Sequence, residues 1–202
     1  MNTQYTLGLF ERITETAIFK FIKYTIYLIL TIALVGGIAY LNVVKAYEPD
    51  QTNEVLIRDK TAAIIARDGN LPMSVAKNYS TWIYEAATKY ALDPTLLLAV
   101  IYNESKFNHK AVSPTGPIGL FQIAFSYHRE KSTRAALFDP YNNIMVGAQI
   151  IREYSNLSKS KIETLLRFNG SLGQSPKYAH KIISTKRKYD NEIMKALQNE
   201  LG

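Results

Sequence analysis

Hydrophobic and polar positions divide the chain into one long uncharged run followed by shorter amphipathic segments. The uncharged run extends from Tyr24 to Val44, with tyrosines near both ends. At a rise of about 1.5 Å per residue, a helix over this run would cross a hydrocarbon core of about 30 Å. We therefore expect a single membrane anchor at 24–44. The alternatives are a buried core helix, which a run without a polar face disfavours, and a cleavable signal peptide, whose apolar region is usually shorter.

The segments after the uncharged run predict an all-α domain. Apolar residues at helical spacing favour helices over 55–66, 74–91 and 161–168, and a last one from Lys177 onward. Two Asp-Pro pairs, at Asp93 and Asp139, combine an N-cap acceptor with a proline suited to the first helical position. No segment alternates convincingly as a strand would. The apolar stripe of the last helix fits a partner helix, but we expect it to dock on its own domain.

Composition narrows the function classes. The 202-residue chain has no cysteine and a net charge of +7. The absence of cysteine excludes disulfides, thiolate metal sites and a lipid-modified N-terminal cysteine. The positive net charge favours an acidic partner. Nucleic acid is not expected, because aromatic and arginine residues do not alternate as a stacking platform requires. No phosphate loop or metal-ligand spacing occurs, and His109, His128 and His180 are scattered, so we expect no cofactor and no metal.

Candidate chemistry centres on Glu104. It follows the six apolar residues from Leu96 to Ile101, which predict a helix buried on most sides. A carboxylate at the end of such a helix is partly desolvated, which raises its pKa and allows it to donate a proton near neutral pH. The loop that follows is rich in glycine and proline. Its Ser113 and Gln122 supply neutral groups suited to sugar hydroxyls and acetamido groups.

The order and spacing of these motifs resemble the catalytic domain of the lysozyme-like lytic transglycosylases. The resemblance rests on Glu104-Ser105, a Ser-Pro-x-Gly turn from Ser113, and Gly-Leu-Phe-Gln-Ile from Gly119, and it covers roughly residues 74–189. It implies that Glu104 protonates the glycosidic oxygen between N-acetylmuramic acid and N-acetylglucosamine. The same carboxylate then acts as a base while the muramoyl C6 hydroxyl closes a 1,6-anhydro ring. No second carboxylate is needed, unlike in most glycosidases.

The resemblance also implies a substrate-binding set around Glu104. Its members are Ser105, which supports the structure around the acid, and Ser113, Gln122, Phe168, Asn169 and Tyr178. Phe168 stands where the family usually has tyrosine, so we expect it to leave Glu104 in more apolar surroundings. Asn143, Ile144 and Gly147 match a family helix that packs beneath the site.

These inferences give a domain plan and a set of functions. We divide the chain into a short tail at 1–23, the anchor at 24–44, a linker with a helix at 45–73, and a lysozyme-like catalytic domain with a C-terminal helix at 74–202. We expect a membrane-anchored lytic transglycosylase on the peptidoglycan side of an inner membrane or virion membrane. It would act on glycan strands and open the wall locally for a secretion or conjugation machine or for an entering virion. The alternatives are a hydrolytic muramidase that uses water and a non-catalytic glycan-binding assembly protein.

Overall fold

The first segment that the structure describes is a single helix. The computed structural model describes residues 23–39 and 51–201, and residues 23–39 form helix α1, whose large apolar side chains are exposed. Within the described part of the chain, no helix is long and apolar enough to cross a bilayer. The transmembrane helix predicted at 24–44 is described only over residues 24–39. Residues 40–44 of that prediction, and 1–22 of the predicted tail, lie outside the described residues.

Helices account for all the regular secondary structure described after residue 50. They are α2 (Gln51–Gly69), α3 (Met73–Tyr90), α4 (Pro94–Ser105), α5 (Pro140–Asn156), α6 (Lys161–Asn169) and α7 (Lys177–Leu201), with short 3-10 turns at Phe125–Tyr127 and Ala136–Phe138. No strand forms between residues 51 and 201; two isolated bridges, Val112 to Ile118 and Ile118 to Ile123, are the nearest approach to a sheet. The all-α prediction is confirmed for the described residues.

Local side-chain chemistry fixes several helix ends. The Asp93 carboxylate accepts hydrogen bonds from the backbone N–H groups of the first turn of α4, at 2.9 and 3.2 Å. Asp139 caps α5 in the same way, at 2.7 Å from the Asn142 nitrogen. Gly170 ends α6 with a φ of 73°, a left-handed conformation that glycine adopts without steric cost. The two predicted Asp-Pro helix starts are confirmed.

Helix α4 lies at the centre of the core. Its residues from Leu96 to Ile101 are all buried, as their unbroken apolar run predicts. Helices α3 and α7 pack against α4, and α5 packs against both α3 and α6. Burying an aliphatic side chain contributes about 1.5–3 kcal/mol, so the α4 run is a large part of the stability of this unit. Its C-terminal end, with Glu104, emerges from the core at the surface.

Helix α2 and the stripe of α7 pack into the same core. Ile64 and Ile65 of α2 are buried, and so are Tyr189 and Ile182 of α7. The Tyr189 hydroxyl donates a hydrogen bond to Asp68 at 2.8 Å, which joins the two helices. The expected docking of the last helix on its own domain is confirmed. The helix expected inside the 45–73 linker is thus part of the compact unit Thr52–Gly202, while the plan of four segments stays a prediction.

Candidate active site

A single cleft contains most of the residues predicted to act together. Its volume is about 460 Å³. It is lined by Glu104, Ser113, Thr115, Pro117, Gln122, Ile123, Ala124, Tyr127, His128, Ile150, Tyr154, Arg167, Phe168, Asn169 and Gly170. Among these described lining residues, Glu104 is the one carboxylate. The cleft therefore combines one acid with neutral hydrogen-bonding groups and apolar walls, which suits a polyhydroxylated ligand.

Glu104 is positioned by the packing of α4 against α7. It lies in the last turn of α4, and Tyr178 in the first turn of α7 donates a hydrogen bond to its Oε1 at 2.5 Å. Burial raises the pKa of Glu104 above its usual value, while the Tyr178 hydrogen bond and the positive charge of Lys181 oppose that shift without cancelling it. Burial and the charge of Glu104 also keep the pKa of Tyr178 well above its usual range. Tyr178 therefore stays a hydroxyl donor, and Glu104 retains its proton to higher pH than an exposed glutamate.

The loop from 111 to 123 contributes part of the cleft lining. Paired backbone hydrogen bonds of 3.1 and 2.9 Å join Ile118 to Ile123. Gln122 adopts a positive φ of 49°, which is uncommon for a residue with a side chain. Its amide Nε2 donates to the carbonyls of Ala111 at 3.2 Å and Gly119 at 2.9 Å. The Gln122 amide nitrogen thus closes the loop on itself while the residue lines the cleft.

Asn143 of α5 holds this loop from below. It is fully buried, its Oδ1 accepts from the Phe121 nitrogen at 2.8 Å, and its Nδ2 donates to the carbonyls of Ile118 and Leu137 at 3.1 and 2.8 Å. On the same helix, a Cβ at Gly147 would come within 2.3 Å of the Phe121 ring, so only glycine leaves space for that ring. These contacts place the helix where the resemblance implies, beneath the loop.

The predicted site residues divide into three groups. Ser113, Gln122, Phe168 and Asn169 line the cleft with Glu104, and Tyr178 reaches the acid through its hydroxyl. Ser105 does not line the cleft. It is buried, and its hydroxyl donates to the Ile101 carbonyl within α4 at 3.1 Å. The structure therefore places Ser105 behind the acid, where it cannot contact a ligand in the cleft.

Phe168 packs edge-on against the ring of Phe121, with ring centroids 6.2 Å apart. An edge-to-face pair of this kind stabilises both rings in one orientation. Phe168 therefore links the end of α6 to the loop beneath which Asn143 lies, and its ring forms an apolar part of the cleft wall. The expected effect of Phe168 on the surroundings of Glu104 stays a prediction.

Tyr127 and His128 line the cleft, although neither belongs to the predicted site. The polar and basic sequence of 125–138 favours a solvated loop and leaves open a segment that covers one end of a glycan groove; the two lining residues agree with the second alternative. The Tyr127 side chain is 80% exposed, whereas His128 packs edge-on against Tyr154 at 6.3 Å. Burial lowers the pKa of His128, which favours its neutral form at neutral pH. The position of this aromatic and basic segment directly after Gln122 is the sequence signal that indicates its place in the cleft lining.

No described group of three or more His, Cys, Asp and Glu side chains is arranged to hold a metal ion. His109 lies elsewhere, with its Nδ1 3.2 Å from the Tyr79 hydroxyl.

Comparison with known proteins shows the family to which this arrangement of residues belongs. The family model of the transglycosylase SLT domain matches residues 81–191, a range that includes both Glu104 and Tyr178. The chain belongs to the transglycosylase SLT domain family. The SLT match begins within α3 and ends within α7, so it covers every element that builds the cleft.

Individual relatives agree with the SLT match. The chain is 31% identical to the membrane-bound lytic murein transglycosylase C of Salmonella typhimurium and 32% identical to that of Klebsiella pneumoniae. The protein of the same name from Photorhabdus laumondii is 28% identical. Each similarity extends over 116 residues, which is 48% of this chain and 32% of the relative. The chain thus spans about a third of the length of these curated relatives.

Replacing Tyr178 with phenylalanine is expected to move the pH dependence of activity. The hydroxyl lowers the pKa of Glu104 by stabilising the carboxylate, so its removal raises that pKa. A general acid must be protonated, and the alkaline limb of the rate profile should therefore move to higher pH. The measurement is the rate of peptidoglycan cleavage against pH for both proteins. An alkaline limb at unchanged or lower pH would contradict the assigned contact between Tyr178 and Glu104. The control is Tyr141→Phe, which removes a hydroxyl bonded to Glu85 outside the cleft.

Proposed function

We propose that this SLT domain is a peptidoglycan lytic transglycosylase that cleaves the bond between N-acetylmuramic acid and N-acetylglucosamine. The observation that carries the proposal is the setting of Glu104. It is a half-buried carboxyl group with a raised pKa, it accepts a hydrogen bond from Tyr178, and it lines the same cleft as Gln122 and Ser113. A protonated carboxyl group facing a sugar-sized cleft is the requirement for acid-catalysed glycosidic cleavage.

The proposed reaction needs one carboxyl group used twice. Glu104 donates its proton to the glycosidic oxygen, and the bond from that oxygen to the muramoyl C1 breaks. The C6 hydroxyl of the same muramoyl unit then attacks C1, and the Glu104 carboxylate accepts the hydroxyl proton. A new C1–O6 bond replaces the broken one, and Glu104 ends protonated, as it began. Tyr178 stabilises the carboxylate between the two steps because its hydroxyl donates to Oε1.

The acid composition of the cleft supports ring closure over hydrolysis. Glycosidases that use water or a covalent intermediate generally place a second carboxylate about 5–10 Å from the first. Among the described residues that line the cleft, Glu104 has no such companion. Intramolecular attack by the C6 hydroxyl requires no activated water, so a single carboxyl group suffices.

The masses of the products test this proposal directly. Purified full-length protein is incubated with peptidoglycan, and the released muropeptides are analysed by mass spectrometry. We expect 1,6-anhydro products, each lighter by one water than the corresponding hydrolytic product. Reducing muramic acid ends would instead indicate a muramidase. Binding to sacculi without any release would indicate a non-catalytic glycan-binding protein.

We further propose that residues 24–44 attach the protein to a membrane on the peptidoglycan side. The uncharged sequence of this run and the exposed apolar side chains of α1 support membrane attachment, as does the membrane-bound description of the relatives. Flotation with lipid vesicles tests it: the full chain should float, and recovery only in the soluble fraction would refute it. A tethered enzyme of this size suits local opening of the wall for a secretion or conjugation machine, or for an entering virion.

A further inference from the structure

Arg167 is a cation in the cleft that the proposed reaction does not use. It lies on α6 directly before Phe168, and it lines the same cleft as Glu104. Its side chain is 29% exposed, so the guanidinium is neither free in solvent nor sealed in the core. Binding a neutral glycan does not require a cation at this position, because uncharged groups such as those of Ser113 and Gln122 can form hydrogen bonds with sugar hydroxyls.

The guanidinium is held in place by one carboxylate that is itself fixed. Arg167 Nη2 donates to Glu163 Oε1 at 2.9 Å, one helical turn away. Glu163 Oε2 accepts from the Lys159 nitrogen at 2.9 Å, and the Glu163 backbone nitrogen donates to the capping Ser160 hydroxyl at 3.2 Å. These bonds tie the pair to the start of α6. The arginine is thus preorganised before any ligand binds, which reduces the conformational entropy lost on binding.

Donor groups of Arg167 remain uncommitted. A guanidinium carries five N–H donors, and the contact with Glu163 uses the Nη2 end. Nε is buried without a hydrogen-bond partner in the described structure. Because Nε has almost no exposed surface, a ligand in the cleft would meet the Nη groups of the guanidinium. Unused donors beside a cleft suit a carboxylate, which a guanidinium binds with two parallel bonds.

A second cation, Lys181, acts on the acid of the cleft. The positive charge of Lys181 acts on Glu104, where it lowers the pKa and so opposes the effect of burial. Lys181 lies on α7, is exposed, and comes three residues after Tyr178. This positive charge favours the ionised form of Glu104 and so opposes its role as an acid. The same charge would attract a ligand that carries a negative charge into the cleft.

We propose that Arg167 binds a carboxylate carried by the muramoyl unit of the substrate, so that the cleft selects acid-bearing glycan over neutral glycan. The inference rests on the proposed function, because it names a feature of the same substrate. Two sources supply this chemistry in peptidoglycan: the carboxylates of the stem peptide, and the lactyl carboxylate that is exposed when the peptide is removed. Arg167 is a specificity residue here, and it takes no part in proton transfer.

Binding to sacculi of altered charge tests the proposal. Full-length protein carrying Glu104→Gln, which binds without cleaving, is sedimented with native sacculi and with sacculi whose carboxylates are converted to neutral methylamides. Adding Arg167→Gln should weaken binding to native sacculi about tenfold, the cost of one charge-assisted contact, and leave binding to neutralised sacculi unchanged. Arg167→Lys, which keeps the charge but loses the planar fork, should fall between. In protein that retains Glu104, Arg167→Gln should raise KM.

A matched control and a third substrate complete the experiment. Arg152→Gln removes the same charge at a separate cavity that it lines with Asp93 and Lys161, and it should not change binding. Strands stripped of peptide by an amidase separate the two sources, because the lactyl carboxyl group is amide-bonded to the peptide in native sacculi. Weakening on native sacculi indicates the stem peptide, and weakening on stripped strands alone indicates the lactyl carboxylate. Equal weakening on native and neutralised sacculi would overturn the proposal, since it indicates a structural role, and so would the absence of weakening on both native sacculi and stripped strands.

The two proposals fail in different ways. If neutralising the carboxylates changes the binding of neither native sacculi nor stripped strands to the Glu104→Gln protein with Arg167 intact, the carboxylate proposal is wrong, and this comparison needs no variant at Arg167 to fold. If wild-type protein releases no anhydro product while the charge-dependent binding is observed, the proposed reaction is wrong and carboxylate binding stands.

Discussion

Replacing Glu104 with glutamine is expected to reduce the release of anhydro-muropeptides by about a thousandfold or more. General acid–base catalysis contributes about 10²–10⁴-fold for one positioned group, and Glu104 would serve as both acid and base. Glutamine is nearly isosteric and can still accept the Tyr178 hydrogen bond, so the cleft should keep its shape. The measurement is the initial rate of product release from sacculi, followed by mass spectrometry.

A control separates lost chemistry from lost charge. Glu85 is an exposed carboxylate that accepts a hydrogen bond from Tyr141 and does not line the cleft. Glu85→Gln removes the same charge and should retain full activity. If Glu104→Gln retained more than about a tenth of the wild-type rate, Glu104 could not be the proton donor, given the contribution expected of such a group.

The same substitution should stabilise the fold at neutral pH. Because the pKa of Glu104 is raised in the folded protein, the unfolded chain releases its proton at lower pH than the folded one. Ionisation therefore favours unfolding progressively from about pH 4.3, the usual glutamate value, up through the folded pKa. Below that window the wild type and Glu104→Gln should differ little, and above it the variant should unfold at higher denaturant concentration. An inactive but more stable variant would exclude misfolding as the cause of inactivity.

Features fixed by local chemistry were predictable from the sequence. The Asp93 and Asp139 caps act on N–H groups two or three residues away, so a short motif contains all the partners that matter. The burial of the α4 run follows as directly, since six successive apolar residues leave no face for water. Gln122 was expected at the cleft from its place in the glycine-containing loop, and it lies there.

Features that depend on the direction of a side chain or on distant contacts were not predictable in the same way. Ser105 follows Glu104 directly, but one step along a helix turns a side chain by about 100°, enough to direct its hydroxyl back to Ile101 instead of the cleft. The place of α2 in the core depends on its meeting α7, which lies over a hundred residues further along the chain. Arg167 reads as one more surface cation until the end of α6 is placed beside Glu104.

Replacing Asn143 with leucine is expected to be the most destabilising change at the site. The side chain is fully buried and satisfies three backbone groups: the nitrogen of Phe121 and the carbonyls of Ile118 and Leu137. Leucine has a similar volume but no polar atom, so the Phe121 nitrogen and the Leu137 carbonyl lose their partner, while the Ile118 carbonyl keeps the Ile123 N–H. Each buried polar group left unpaired costs about 1–3 kcal/mol, and new hydrogen bonds to water or neighbours lower the sum. We expect the free energy of unfolding to fall by about 2–5 kcal/mol in urea denaturation.

The neighbouring Asn142 provides the matched control. Its side-chain amide donates to the Ser132 hydroxyl at 2.8 Å and to the Ala136 carbonyl at 3.0 Å, but the residue is only half-buried, so water can replace these contacts. Asn142→Leu should therefore cost about 1 kcal/mol or less. Since Asn143 holds the loop that carries Gln122, Asn143→Leu should also weaken binding to sacculi under conditions where the protein remains folded. Equal costs for the two variants would show that the loop is held mainly by its own backbone hydrogen bonds and not from α5.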